Sequence, residues 1–518
     1  PDDKTDYNIS LNGKKNFQFL PLNSLNFHIS NYFIGSDKPY ILILYSIFII
    51  IIFFSIINEK INTKYSLIFI FLFSVNPLLN FFAKFPSASL LQLLINCIMF
   101  FLINDLFKKE NKYYKFTIYL ILIAFTVGCF NRIDAFLYLP FFFITNLVII
   151  FSKNINDRSL SFLFYGYLPI IIITVFTYYI HFNYNSFYAQ NIFNQHFFEI
   201  FGKNYFNYLA IILTSSVIFL YLIYHTKNKL FEIINILFSN INFYFLIIFL
   251  FGFLFLILNI YGIAFQDHIT EDTPRGLEFI NFSSSVNSLK YLYLFIFPVI
   301  FLGENEKNDF SKLLFLSLIY WWLFLVLFFV YFNYEMYFTR YLIPNIFLII
   351  SLIIAFKIKK IFKYRILKIG FFFTFILYLF LSFGQTLNTE YLKFKNGMDN
   401  LSSRVFANDI VLLFNYRPYT GSYFFNRMKL PMSYFYNKNV IAVNEQNFQE
   451  ILQTDFLKNY DNIFLISETE LFSPDYNFNN EVLYLEETYL EHTSNALYIP
   501  FKYNTNSVKL FINELNGV

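Results

Sequence analysis

The sequence predicts a polytopic α-helical membrane protein with a small α/β domain at its C-terminal end. Three observations predict it. Of 518 residues, 57% are hydrophobic and only 14% charged, whereas about a quarter of a soluble globular chain is charged. Apolar runs of span length recur between Tyr40 and Phe383, and about 18–20 such residues cross a hydrocarbon core as a helix. Beyond residue 384 the apolar runs shorten to strand length between polar turns. Phe and Tyr number 78 and 42 beside abundant Ile, Asn and Lys. This looks like compositional bias, so aromatic stripes alone point to no ligand.

Taken in order, residues 1–38 are polar, with Asp2, Asp3, Asp6, Lys14 and Lys15. The first span is Tyr40–Ile57, followed by a basic hinge from Glu59 to Lys64. The second starts at Tyr65 and is interrupted at Asn76-Pro77, because proline removes a helix donor. A third reaches Leu106, and Asp105 to Lys115 is a basic loop. The fourth reaches Cys129 and ends at Asn131-Arg132-Ile133-Asp134. Ala135–Phe151 is the fifth, and Leu160–Ile180 the sixth. A polar, aromatic loop with His181 and His196 precedes the seventh, Tyr208–Tyr224, which ends at His225-Thr226-Lys227 before a surface linker. The eighth is Phe243–Phe265, the ninth a short Tyr291–Leu302, the tenth Leu313–Phe332, the eleventh Tyr341–Phe356 and the twelfth Ile369–Phe383.

Alternate short loops divide the charge. One set holds about seventeen Lys and Arg, from Lys60 to Arg365, and the other about six. The first set is therefore expected in the cytoplasm. That places both chain ends outside, with about twelve spans. The chain starts at Pro1, and a missing first helix would bring the total to about thirteen.

Residues 385–518 offer strand-length runs at Asp409–Phe414, Asn439–Val443, Asn462–Ser467, Val482–Leu485 and Val508–Ile512, with a helix expected over Gln446–Tyr460. This reads as a small extracytoplasmic α/β domain. No Gly-rich phosphate loop follows its strands.

Several functions find no support. No basic run interleaves with aromatics outside the span flanks, so no nucleic-acid partner is expected. No Ser-His-Asp, zinc or Walker pattern stands out. Cys97 and Cys129 lie in apolar runs and read as buried thiols. The outward side nevertheless collects Asp2, Asp3, Asp6, Lys84, Arg132, Asp134, His181, His196, Asp267, His268, Glu271, Asp272, Arg275 and Arg340. A carboxylate there could deprotonate an acceptor. Cations at the lipid boundary could hold a phosphate, and arginine suits this through its forked donors. Each has a plain alternative: a solvated terminus for Asp2 and Asp3, a local pair for Arg132 and Asp134, a snorkelling Lys84. The cluster Asp267-His268 with Glu271-Asp272 matches no specific metal spacing. No metal or other cofactor is indicated, although a divalent ion is compatible with those carboxylates.

Five short elements together resemble the GT-C superfamily of integral membrane glycosyltransferases, which use polyprenyl-phosphate sugars. The mannosyltransferases and aminoarabinose transferases of that superfamily are the type meant. Asp2-Asp3 resembles the acidic pair of their first external loop. Phe17–Asn23, with the apolar stretch to Gly35, resembles the approach to their second helix. Asn76-Pro77 through Ser87 resembles their Pro-containing turn, but Ala88 stands where a glutamate is expected. Gly128 to Asp134 with Tyr138-Leu139-Pro140 resembles their Arg-Asp junction. Arg340-Tyr341-Leu342-Ile343-Pro344 resembles the element opening a late helix.

The resemblance implies inverting transfer of a sugar from a polyprenyl-phosphate donor to a glycan, lipid or protein acceptor. Asp3 or Asp2 would be the base. Arg340 and Tyr341, with Arg132, Asp134, Lys84, Asp267 and His268, would bind substrate. The expected location is a bacterial inner membrane, with the bilayer itself a partner. A transporter or lipid flippase, or a glycan ligase of another family, are the alternatives. A transporter would place charges in mid-membrane and repeat its halves. The notable charges here sit at boundaries.

Overall fold

The computed structural model describes residues 40–84, 88–184, 205–260, 291–301, 308–332, 342–386, 390–415, 436–444, 453–467, 481–490 and 503–515. It also describes Met428, Met432, Phe448, Glu450, Ile451, Glu470 and Asn480. These divide into a helical unit within Asn16–Gln385 and a second unit within Thr386–His492 and Phe501–Val518.

The helical unit contains α1 (Tyr40–Asn58), α2 (Thr63–Ser74), α3 (Pro77–Lys84), α4 (Ala88–Leu106) and α5 (Tyr114–Asn131). A 3-10 turn, Ile133–Tyr138, leads into α6 (Leu139–Phe151). Helix α7 runs Ser159–Phe162, takes a π turn over Leu163–Tyr167 and continues Leu168–Tyr184. Then come α8 (Tyr205–Ser239), α9 (Ile241–Ile260) and α10 (Asp309–Phe332). A π segment, Leu342–Phe347, opens α11 (Leu348–Phe356), and α12 (Ile358–Lys363) and α13 (Arg365–Thr386) follow.

Among the described residues, five helices are long and apolar enough to cross a membrane, and several shorter apolar helices accompany them. The protein is an integral membrane protein of mostly helical structure. The stretch Ala88–Leu106 is 83% buried, against 33% for Ile41–Asn58 and 28% for Arg365–Phe383. Helix α4 is therefore the central post, with α1 and α5 packed against it and the π segment alongside. The broad apolar faces of α1 and α13 point outward, as lipid requires.

The loops richest in basic residues meet at one end. Lys108 bonds Glu59 at 2.7 Å and Asp105 at 3.2 Å. Burial works against the Lys108 ammonium, but the hydrogen bonds and charges of these two carboxylates outweigh it and raise its pKa. Arg158, only 5% exposed, lays its guanidinium on the carbonyls of Leu106, Lys108, Lys109 and Asn111 at 2.6–3.2 Å. Arg158 thus supplies donors to four carbonyls at a helix end and its following turn, where acceptors are left unmatched. Ser152 donates to Asp309, which also pairs with Lys312 at 3.0 Å.

Two expectations fail here. The surface linker after residue 224 is instead helical, because α8 continues unbroken to Ser239. The expected ninth span is no helix: Tyr291–Ile296 forms turns and Phe297–Ile300 a single 3-10 turn. Irregular backbone at membrane depth survives only when protein satisfies it. Asn76 Nδ2 donates to the Tyr291 carbonyl at 2.9 Å, while its Oδ1 accepts from Leu78 N–H and so caps α3. Tyr293 has φ 65°, a costly conformation for a bulky residue. Its N–H donates to Tyr378 Oη at 2.9 Å, and its own hydroxyl pairs with Ser351 at 2.7 Å. Lys357 Nζ donates to the Ile300 carbonyl at 2.9 Å and lies over the Phe315 ring.

The second unit holds α14 (Glu390–Arg404) and β1 (Ile410–Asn415), β2 (Asn439–Asn444), β3 (Ile463–Ser467), β4 (Glu481–Leu490) and β5 (Tyr503–Leu515). Its sheet order is β2-β1-β3-β5-β4. Strands β1, β2 and β3 are parallel, and β5 runs antiparallel to both β3 and β4. Helix α14 packs on β4, and Met398, Leu401 and Val405 join the core beneath one face of the sheet. The expected helix Gln446–Tyr460 is helical at Phe448, Glu450 and Ile451 and ends in a 3-10 turn, Leu457–Asn459.

Two outcomes follow from this packing. A Cβ on Gly370 would stand 2.5 Å from the Phe295 carbonyl oxygen. Gly370→Ala should therefore destabilise by about 1–3 kcal/mol, as overpacking does, although an open helix site would gain about 0.5–1 kcal/mol from the same change. A thermal midpoint in detergent that holds or rises would rule out the close approach. In sided vesicles of a Cys97→Ser/Cys129→Ser background, Lys112→Cys and Lys360→Cys should react with an impermeant maleimide from the same face. Labelling from opposite faces would break the shared end.

Candidate functional site

The site grows from one stripe on the central helix. Ser89, Gln92 and Asn96 are spaced three and four apart, which puts them on one face of α4. All three are buried. Helix α5 approaches closely at Gly128, where a Cβ would meet Gln92 Nε2 at 3.1 Å. Just beyond, the chain leaves the helix. Arg132 takes extended backbone angles, and its N–H donates to the Gly128 carbonyl.

This exit brings two side chains onto α4. Asn131 Nδ2 donates to the Ala88 carbonyl at 3.0 Å and to Gln92 Oε1 at 3.1 Å. Arg132 Nη1 donates to Ser89 Oγ at 2.9 Å. Asn131 Oδ1 is buried and accepts no hydrogen bond among the described residues.

From this corner a chain of uncharged groups runs inward. Gln92 Nε2 donates to Asn96 Oδ1 at 3.0 Å. Asn96 Nδ2 donates to the Tyr138 hydroxyl, which donates in turn to Asn345 Oδ1. Tyr138 is 2% exposed, its ring edge-on to Trp321 at 5.5 Å and to Phe141 at 6.0 Å. Next to it, Tyr320 on α10 donates to the Leu137 carbonyl at 2.9 Å. The 3-10 turn is thus held from α4, α10 and the π segment together.

The structure joins the Arg-Asp junction, through Asn131, Arg132 and Tyr138, to Ser89, which lies beyond the Pro-containing turn, and to Asn345, which follows Arg340–Pro344 directly. Of the expected substrate residues, Arg132 stands at the corner. Lys84 is the last residue of α3 and Asp134 lies in the 3-10 turn, with their side chains outside what the structure describes. Asp2, Asp3, Asp267, His268, Arg340 and Tyr341 lie outside the described residues, as do Asp6, His196, Glu271, Asp272 and Arg275. His181 is in α7, its side chain likewise undescribed. Among the described residues, no three His, Cys, Asp or Glu side chains gather. Cys97 and Cys129 are buried and form no disulfide.

Sequence reasoning missed Gln92, Asn96, Tyr138 and Asn345 as a connected set. The three-and-four spacing of Ser89, Gln92 and Asn96 inside an apolar run was the available signal, since polar side chains in a span commonly join helices. What the corner offers chemically is a guanidinium at a helix exit, a donor set matched to phosphate or carboxylate oxygens.

No protein-family model matches the chain, and no curated protein matches it. Solved structures with some likeness include the oligosaccharyltransferase of Archaeoglobus fulgidus complexed with Zn and sulfate. It has 9% identity and a TM-score of 0.40 over 87% of this chain and 59% of that one. Another is the oligosaccharyltransferase AglB of the same archaeon with an inhibitory peptide and a dolichol-phosphate, at 10%, 0.39, and 87% and 61% coverage. A third is apo ArnT from Cupriavidus metallidurans, at 9%, 0.38, and 98% and 89%. The chain spans about three fifths of the oligosaccharyltransferases' length. Scores of this size do not establish a common fold, and the reading of function rests on the residues themselves.

A pair of substitutions separates satisfied from unsatisfied polar groups in this interior. Asn96→Leu removes the acceptor of Gln92 Nε2 and the donor to the Tyr138 hydroxyl, which keeps its bond to Asn345, and should lower stability by about 1–3 kcal/mol. Asn146 is fully buried, with neither amide atom hydrogen-bonded among the described residues. Asn146→Leu should therefore hold or raise the thermal midpoint. Equal losses for both would mean that the chain of amides carries no more than packing.

Proposed function

We propose that this protein is a membrane glycosyltransferase that moves a sugar from a polyprenyl-phosphate donor to an acceptor on the extracytoplasmic face, with inversion. The supporting observation is the corner itself. Arg132 lies at the Ser89 end of α4, opposite the end where Arg158 and Glu59 gather the basic loops. Its neighbour Asn131 starts a hydrogen-bonded chain through Gln92, Asn96 and Tyr138 to Asn345. That chain ties the element Gly128–Pro140 to the residue directly after Arg340–Pro344.

In this reading an acceptor oxygen or nitrogen attacks the anomeric carbon as the bond from that carbon to the phosphate oxygen breaks. The polyprenyl phosphate departs with the electron pair. Asp3, or Asp2, takes the acceptor proton. Arg132, Arg340 and Lys84 offset the charge growing on the leaving phosphate, which acts strongly where water is excluded. Tyr341, Asp134, Asp267 and His268 would bind substrate. The acceptor is a glycan, lipid or protein. The second unit, on the outer side, would help admit it.

Transport is the competing reading, because polar side chains buried at membrane depth often mark a solute path. Here the buried side chains of Gln92, Asn96, Tyr138 and Asn345 are uncharged and bond to one another, which suits a joint between helices better than a path.

The test is sugar transfer by the purified protein in lipid nanodiscs offered a panel of polyprenyl-phosphate sugars. Removing the base in Asp2→Asn/Asp3→Asn should lower kcat by about 10²–10⁴, and Arg340→Ala or Arg132→Ala by about 10²–10³. Transfer that survives all of them would remove these residues from the chemistry. Absence of transfer with every donor, alongside flux of labelled lipid or solute, would favour transport.

A further inference from the structure

We infer that Tyr138 is a positioning residue that fixes the register between the Arg132 corner and the segment leading from Arg340, and through it the grip on the donor phosphate. The inference rests on the reading above. Tyr138 is six residues past Arg132, at the end of a 3-10 turn that is short and stiff. Its oxygen accepts from Asn96 on α4 and donates to Asn345 in the π segment. These partners are separated from it by 42 and 207 residues in sequence, so the bonds join elements that no local structure aligns. A phenylalanine would fill the same space against Trp321 and Phe141. What the hydroxyl adds is direction.

The neighbours sharpen the point. The π segment begins at Leu342, two residues past Arg340, and its winding departs from the α-helical turn. Asn345 is the described polar residue of that segment, and it is 3% exposed. Its hydrogen bond to Tyr138 is directional, whereas the apolar contacts of Ile346 and Phe347 around it are not. A hydrogen bond between helices contributes modestly to folding in a membrane. Misplacement by about an ångström at a reacting centre can cost roughly a hundredfold in rate. The hydroxyl is therefore expected to matter more for the donor than for the fold.

The experiment compares the parent, Tyr138→Phe, Arg132→Lys and the double variant in nanodiscs. Thermal midpoint, binding of undecaprenyl phosphate without a sugar, and separate donor and acceptor kinetics are measured. Tyr138→Phe should weaken undecaprenyl phosphate binding and raise the donor KM about tenfold or more, with the acceptor KM nearly unchanged and the thermal midpoint lowered modestly, because Asn96 Nδ2 and Asn345 Oδ1 each lose a partner. Because the tyrosine acts through the arginine corner, the double variant should lose little beyond the larger single loss in donor KM. Asn345→Ala leaves the Asn96 bond in place and gives the same comparison if Tyr138→Phe does not fold. Unchanged donor binding and donor KM, or donor and acceptor KM rising together, would overturn the positioning role while leaving the transferase reading intact. A parent that binds no undecaprenyl phosphate would overturn both.

Discussion

A bilayer core offers no water, so every polar group that enters it must be matched by protein. That constraint organises the helical unit. It explains why the irregular stretch Tyr291–Phe301 finds polar partners on neighbouring elements, while Leu294 and Phe295 turn apolar side chains outward. The Asn76 amide, the Tyr378 hydroxyl and the Lys357 ammonium each supply a partner its backbone would otherwise lack or compete for. It also explains why the polar stripe of α4 is deeply buried while the flanking helices present Phe, Ile and Leu outward.

The two ends of α4 solve the same problem differently. At one end, charge is abundant: Arg158 covers carbonyls left open by the helix, and Glu59 bridges Asn104 and Lys108. At the other end the groups inside are neutral, and the cation Arg132 sits where the chain turns out of α5. This corner has its charge at the rim and its order in the interior. The donor phosphate of the proposed reaction would arrive at that rim.

Much of this was legible in the sequence. Long apolar runs gave α1, α4, α5 and α13 within a few residues, because lipid contact and burial both demand apolar side chains. The break at Asn76-Pro77 was visible because proline forbids the helix. The irregular Tyr291–Phe301 was not, since hydropathy reports environment and not winding; Pro298 in its middle was a partial warning. Helix α14 escaped notice because its exposed face is polar, although Met398, Leu401 and Val405 repeat at helical spacing. Arg132 could be singled out as a boundary charge. Its union with Tyr138 and Asn345 could not, because it depends on which helices become neighbours across 207 residues of chain. Asp2, Asp3, Arg340 and Tyr341 remain sequence proposals.

The clasp on α4 also governs which changes of length the chain can absorb. Ser89 receives Arg132 near the first turn, and the Leu106 carbonyl receives Arg158 at the last residue. One extra residue between them would turn one end about 100° relative to the other, and no side-chain rotation could restore both attachments. Length variation among descendants of this chain should therefore collect in the connections between helices, while the span from Ser89 to Leu106 keeps a fixed count.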